Sequence, residues 1–234
     1  MEEFILKTTA DGSQTLFVPS LNEHYHSIHG AVQESEIVFL QNGLRFTAKK
    51  LEVINLLEIG FGTGLNALLT AIEAKKLKIR VNYVGIDPYP LPAEIAKKLN
   101  YVEHIGSPEA LGYFNKLNEA HWSYPSFLSD YFVLNKIHAA LEEVSFKENS
   151  FNLVYFDAFG PDVQPEMWTE HIFGILYKCL AEGGILVTYS CKGTVKRALK
   201  KAGFSIEKLP GPAGKREVLR AKKEIPLGEL LSEK

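Results

Sequence analysis

From residue 53 onward the chain alternates short apolar runs with helical patterns, and that alternation limits the fold more than any other feature. "VINLLEIG" reads as a buried strand, "LNALLTAIEAKK" as the helix after it, and "IRVNYVGID" as the next strand. "YFVLNKI", "FNLVYFDAF" and "ILVTYS" are further strands, and "FSIEKL" and "KREVLRA" close the series. The intervening helices are "LPAEIAKKLN" with Pro92 in its first turn, "SPEALGYFNKLNEA" with Ser107 as N-cap, "PEMWTEHIFGILYKCLAEGG" ended by Gly183-Gly184, and "TVKRALKKAG". Seven strands parted by helices predict an α/β fold, a mostly parallel seven-stranded sheet covered on both faces. Ligands of such sheets bind beyond the carboxyl ends of the strands. Ahead of this core, residues 4–18 read as a hairpin turned at Asp11-Gly12, and "HGAVQESEIVFLQNGL" as a helix stopped by Asn42-Gly43. "HWSYPSFLSD" reads as an irregular aromatic loop. The expected division is an extension over 1–50 packed on the core, a main domain over 51–223, and a tail over 224–234.

Composition excludes several classes. The 234 residues are 46% hydrophobic and 23% charged, a globular mixture. No apolar run approaches the roughly 18 residues of a membrane span. The opening Met1-Glu2-Glu3-Phe4 lacks the basic start and apolar core of a secretory signal. Cys179 and Cys191 form neither a disulfide framework nor a zinc-ligand spacing, so no metal site is expected. These features describe a reduced, cytoplasmic protein. The net charge of −2 hides an asymmetry: residues 192–223 hold eleven Lys or Arg against two Glu. That segment suits either a polyanion partner or a solvated helix face.

The first strand-to-helix turn, "LEIGFGTGLN", carries Gly60, Gly62 and Gly64. Glycines there let the backbone turn sharply and touch a ligand. The spacing is G-x-G-x-G, not the dinucleotide G-x-G-x-x-G, and no Gly-Lys-Ser/Thr follows for a triphosphate. Glu58, just before the loop, repels phosphate and favours a cationic ammonium or sulfonium. Asp87 ends the second strand, where a carboxylate can accept both ribose hydroxyls. The E-x-G-x-G-x-G run resembles motif I of the S-adenosylmethionine-dependent methyltransferases, which implies a Rossmann-like class I fold and S-adenosyl-L-methionine as cofactor. On that resemblance Glu58, Gly60, Phe61, Gly62, Thr63, Gly64, Asn66, Asp87 and Asp157 form the cofactor site. The third-strand end, "NKIHAALEEV", lacks an acidic residue for an adenine contact, and His138 is the candidate there.

A second stretch, "YFDAFGPDVQPEMWT", begins at Tyr155 and sets Asp157 at the end of the fourth strand. It is similar to the methyltransferase domain of the tRNA 5-methylaminomethyl-2-thiouridine biosynthesis family, the MnmC type. "GFGTGLNAL", "GTVKRALKKAGFSIEKLPGPAGKREVLRA" and "DGSQTLFVPSLNEHYHSIHGAVQESEIVFL" also resemble that family, so the likeness spans nearly the whole chain. The family often has Glu at the Asp87 position, a change of one methylene. Its flavin-dependent oxidoreductase half has no counterpart here, which implies a stand-alone version that cooperates with a separate enzyme supplying aminomethyl-uridine.

The resemblance implies N-methylation of 5-aminomethyl-(2-thio)uridine at the tRNA wobble position, with Asp157 as catalytic carboxylate. Tyr25, Phe159, Pro161 and Trp168 are candidate substrate contacts, since single-stranded RNA is read largely by stacking. Trp168 equally suits helix packing, and Tyr25 a loop aromatic. Lys192, Lys215 and Arg216, with Lys196 and Arg197, are candidates for phosphates of the tRNA anticodon stem-loop. The residues themselves leave open a methyltransferase acting on a protein or small-molecule amine, a nicotinamide-dependent oxidoreductase, and a non-catalytic binding module of the same fold.

Overall fold

A computed structural model describes residues 3–225. The chain opens with a three-stranded antiparallel sheet, β1 (Ile5–Thr8), β2 (Gln14–Val18) and β3 (Glu23–His24). The expected hairpin is present, with Asp11 at its turn accepting from the Ser13 backbone N–H at 2.9 Å. A helical run follows: α1 (Ala31–Ser35), a π-helical stretch (Glu36–Leu44) and α2 (Arg45–Ala48). It does not stop at Asn42-Gly43. A Cβ on Gly43 would lie 3.0 Å from the Tyr155 ring, so this glycine serves close packing of the helix on the sheet.

Among the described residues the main sheet has eight strands, not seven, in the order β10-β11-β9-β8-β4-β5-β7-β6. In chain order its elements are β4 (Val53–Ile59), α3 (Leu65–Leu77), β5 (Arg80–Ile86), α4 (Ala93–Ala96), α5 (Tyr101–Ile105), α6 (Ala110–Glu119), β6 (Ser126–Ser129) and β7 (Phe132–Ile137). Then come β8 (Phe151–Phe156), α7 (Glu170–Cys179), β9 (Leu180–Thr188), α8 (Gly193–Lys201), β10 (Ser205–Pro210) and β11 (Glu217–Lys222). Strands β4, β5, β7, β8 and β9 are mutually parallel, while β6, β10 and β11 pair antiparallel at the edges. The extra strand is β6, inside the stretch expected to be loop; it pairs with β7 through a bulge between Phe127 and Ser129.

Three helix boundaries also differ. Ser107 is not the N-cap of α6; that position is Glu109, and the Ser107 hydroxyl donates to its carboxylate at 2.8 Å. The helix through "PEMWTEHIFGILYKCLAEGG" breaks into a 3₁₀ turn (Pro165–Trp168) and α7, and Gly183-Gly184 lie within β9. "LPAEIAKKLN" forms only the short α4.

Alternation along β4 divides the core. Ile54 and Leu56 join a cluster with α3, α6 and the N-terminal helical run; Leu57 and Ile59 join one with α7 and α8. Side chains alternate across a strand, so such a run must be covered on both faces. Residues from 1–50, among them Leu16, Ala31, Val38 and Phe39, are part of the first cluster. The expected tail over 224–234 lies almost entirely outside the described residues. Among those described, no helix is long and apolar enough to cross a membrane.

Candidate active site

The order of the strands switches sides at β4, whose parallel neighbours are β5 on one side and β8 on the other. Beyond the carboxyl ends of these strands lies a cavity of about 630 Å³, a size that takes a cofactor-sized molecule. Residues 60–63 of the glycine loop line it, with Asp87–Tyr89 and Ala140–Glu142 on one side and Tyr25, Asp157, Phe159, Tyr189 and Lys215 on the other.

The loop is held by the ends of three strands. Gly60 has φ +87°, and a Cβ there would stand 2.6 Å from the Asp157 carbonyl oxygen. Both dihedral and contact therefore demand glycine. The Gly60 and Phe61 N–H groups donate to the Ile86 carbonyl at 3.0 and 3.2 Å. Phe61 is buried, its ring edge-on to Trp122 at 5.7 Å. Asp87 accepts from the Gly62 and Tyr89 N–H groups, each at 2.9 Å. Burial pushes the Asp87 carboxyl up, while those two N–H groups and nearby His138 favour the anion. Each carboxylate oxygen keeps a further lone pair, so Asp87 retains acceptor capacity toward the cavity.

Glu58 departs from its expected place. It is fully buried and does not line the cavity, so it meets no cation directly. It sits behind Asn66, in the first turn of α3, whose amide donates to Glu58 Oε1 at 2.9 Å and to Asp157 Oδ2 at 2.8 Å. Burial raises the Glu58 carboxyl well above its usual range. Asp157 is brought to about 7: burial and the Glu34 carboxylate raise it, while Asn66 and Lys215 pull it back.

Around Asp157 the structure gathers Glu34, Tyr189 and His26, which sequence reasoning did not single out, and Lys215, expected instead at a phosphate. Glu34, from α1, is buried, accepts from the Ser27 N–H at 2.9 Å and pairs with the Lys215 ammonium. Lys215 lies 4.0 Å from the centroid of the Tyr189 ring, and the Tyr189 hydroxyl donates to the Ala158 carbonyl at 2.8 Å. His26 is held low, at about 4, by burial. For Glu34 and His26 the signal was the likeness of "NEHYHSIHGAVQESE" to a family opening; periodicity places neither at a site.

The other expected residues divide. Tyr25 lines the cavity, edge-on to Phe159 at 5.2 Å. Trp168 does not: it is 5% exposed, packs on Phe156 and Phe173, and donates from Nε1 to the Phe159 carbonyl at 2.7 Å. No base can stack on it. Lys215 is engaged by Glu34 rather than free for a phosphate. Lys192 is exposed and pairs with Asp162, Arg216 is exposed, and Pro161 is partly buried outside the cavity lining. His138 is likewise outside the lining, its ring 6.1 Å from that of Trp122.

A family model described as S-adenosyl-L-methionine-dependent methyltransferase matches residues 128–224. The tRNA 5-methylaminomethyl-2-thiouridine biosynthesis bifunctional protein MnmC of Paraburkholderia xenovorans is 31% identical over 92% of this chain and 34% of its own length. The protein of the same name from Pseudoalteromonas atlantica is 30% identical over 92% of this chain and 32% of its own. The crystal structure of MNMC2 from Aquifex aeolicus superposes with a TM-score of 0.77 at 26% identity, covering 97% of this chain and 72% of that one. The fold is thus that of the class I S-adenosyl-L-methionine-dependent methyltransferases. Within that class the chain resembles the methyltransferase part of the MnmC-type proteins, and it spans about a third of the length of the curated relatives it matches.

Proposed function

We propose that the protein transfers a methyl group from S-adenosyl-L-methionine to the primary amine of 5-aminomethyl-(2-thio)uridine at the tRNA wobble position, giving the 5-methylaminomethyl nucleoside. A cytoplasmic location goes with this reading. The observation that carries it is Asp157, a carboxyl brought to about 7 at the wall of a cofactor-sized cavity, in a chain similar over 92% of its length to proteins named for that nucleoside.

The glycine loop and Asp87 are the residues that would hold the cofactor: loop backbone without side chains against one part, the Asp87 carboxylate against ribose hydroxyls. Bound there, the cofactor supplies an electrophilic methyl group. The chain's own residues then prepare the acceptor. An alkylammonium has no lone pair, so it must lose a proton first. Asp157, near neutrality in its titration, accepts that proton and a hydrogen bond from the amine. Tyr25 and Phe159 offer aromatic surface to the uracil ring, and Glu23–Ile28 with Glu34 form the acceptor-side wall. Holding the nitrogen in line with the methyl group contributes most; such orientation supplies up to roughly 7–11 kcal/mol.

The test is nucleoside mass spectrometry of tRNA carrying aminomethyl-uridine, incubated with the protein and labelled S-adenosyl-L-methionine. Label should appear in methylaminomethyl-uridine. Cofactor binding without label in that nucleoside overturns the assignment.

A further inference from the structure

Asn66 is 3% exposed, and both hydrogens of its side-chain amide are used, one on Glu58 and one on Asp157. As placed, the amide nitrogen donates to a carboxyl oxygen on either side and so ties Glu58 to Asp157. Its own Oδ1 is buried without a hydrogen-bond partner among the described residues. A buried orphan acceptor costs about 1–3 kcal/mol, and such groups call for a functional reason. Glu58, for its part, is a fully buried carboxyl that the proposed reaction does not touch.

We propose that Asn66 is a positioning residue: anchored on Glu58, its amide fixes one oxygen of Asp157 and leaves the other turned to the cavity and the methyl acceptor. This rests on Asp157 being the acceptor-side carboxylate. The partners of Asp157 agree with it. Oδ2 accepts from Asn66, and among the described residues no hydrogen bond is made by Oδ1. The charged or titratable groups facing Asp157 are Glu34 from α1, Glu58 from β4, Tyr83 from β5, Tyr101 from α5, Tyr189 after β9 and Lys215 from the β10–β11 turn. Glu34 raises Asp157 and Lys215 lowers it at a distance, whereas Asn66 lowers it by direct hydrogen bonding. The amide therefore orients the base and keeps its anion accessible near neutral pH.

Asn66→Leu removes the donor at similar volume, and Asn66→Ser keeps a shorter donor. The Asp157 carboxyl is followed by carbon-13 NMR across pH in the whole protein, its resonance identified by loss in Asp157→Asn. Cofactor affinity is measured by calorimetry and kcat across pH. In Asn66→Leu the Asp157 midpoint should rise by about one pH unit, the amount a lost hydrogen bond to a charged group implies. At pH 7, kcat should fall on the order of tenfold and recover at higher pH, a loss larger than any change in cofactor affinity. Asn66→Ser should shift less in the same direction, and it carries the test if the leucine variant does not fold. An unmoved midpoint, or a loss of cofactor affinity matching the loss of kcat, overturns the proposal. The titration needs no tRNA: a shifted midpoint without methylated nucleoside refutes the substrate assignment and leaves the brace standing.

Discussion

Asp157 is asked to be buried and basic at once. Burial and Glu34 bring it to about 7, from an ordinary value of 3.8. Between those pH values the native chain holds a proton that the unfolded chain has released. Its stabilising contribution is therefore complete below about pH 4 and is lost as pH rises through 7. Asn at this position carries no charge in either state. We expect Asp157→Asn to gain on the wild type in thermal unfolding from pH 4 to pH 8, by on the order of 2 kcal/mol, the full shift being discounted for the cavity-facing oxygen. The same variant should lose methyl transfer by about a hundredfold or more at saturating cofactor. A stability difference that does not change with pH would show that Asp157 is not held high in the folded chain.

The elements that make the site differ in how plainly the sequence announces them. The parallel strands were legible because apolar runs such as "VINLLEIG" and "FNLVYFDAF" are buried on both faces and have no other use. The glycine loop was legible because its glycines follow such a run at once. Asn42-Gly43 and Gly183-Gly184 misled: each reads as a stop, but one packs a helix on Tyr155 and the other sits inside β9. Strand β6 was hidden because it is short and bulged, and is paired only with β7. Glu34 and Lys215 were legible as charges but not as partners, since their pairing joins the N-terminal helical run to the β10–β11 turn.

Two element-scale outcomes follow from these contacts. Gly60→Ala places a methyl against the Asp157 carbonyl in a left-handed backbone, so it should destabilise the fold by about 2 kcal/mol or more and weaken cofactor binding. Denaturant unfolding and calorimetry would read both effects, and wild-type values would contradict the geometry. Lys215→Met strips Glu34 of its counter-charge. Since Lys215 is partly exposed, the expected loss is about 1–3 kcal/mol, below that of a fully buried pair. Pairing it with Glu34→Gln in a double-mutant cycle should recover part of that loss; strict additivity would mean that the ion pair contributes nothing.

At the scale of the molecule, charge is distributed along the chain unevenly, and the fold gives that distribution a direction. Helix α8 begins just past the carboxyl end of β9, so its first turn stands on the cavity side of the sheet. Lys192 and Lys201 are taken up by Asp162 and Glu170, whereas Lys196 and Arg197 have no carboxylate at ion-pair distance among the described residues. Exposed Lys49 and Lys50 precede β4 and lie at the opposite, amino end of the strands. Under the proposed reading, a tRNA with its wobble nucleoside in the cavity lays its phosphates across α8 and Arg216, away from that lysine pair. Each phosphate contact adds roughly 0.7–0.9 to the slope of log affinity against log salt. Lys196→Ala with Arg197→Ala should lower the slope of tRNA binding by roughly 1.5, leaving S-adenosyl-L-methionine affinity unchanged. Lys49→Ala with Lys50→Ala should leave the slope as it is. Equal effects of the two pairs would mean diffuse attraction to a charged surface, and an unchanged slope in both would remove tRNA from this face altogether.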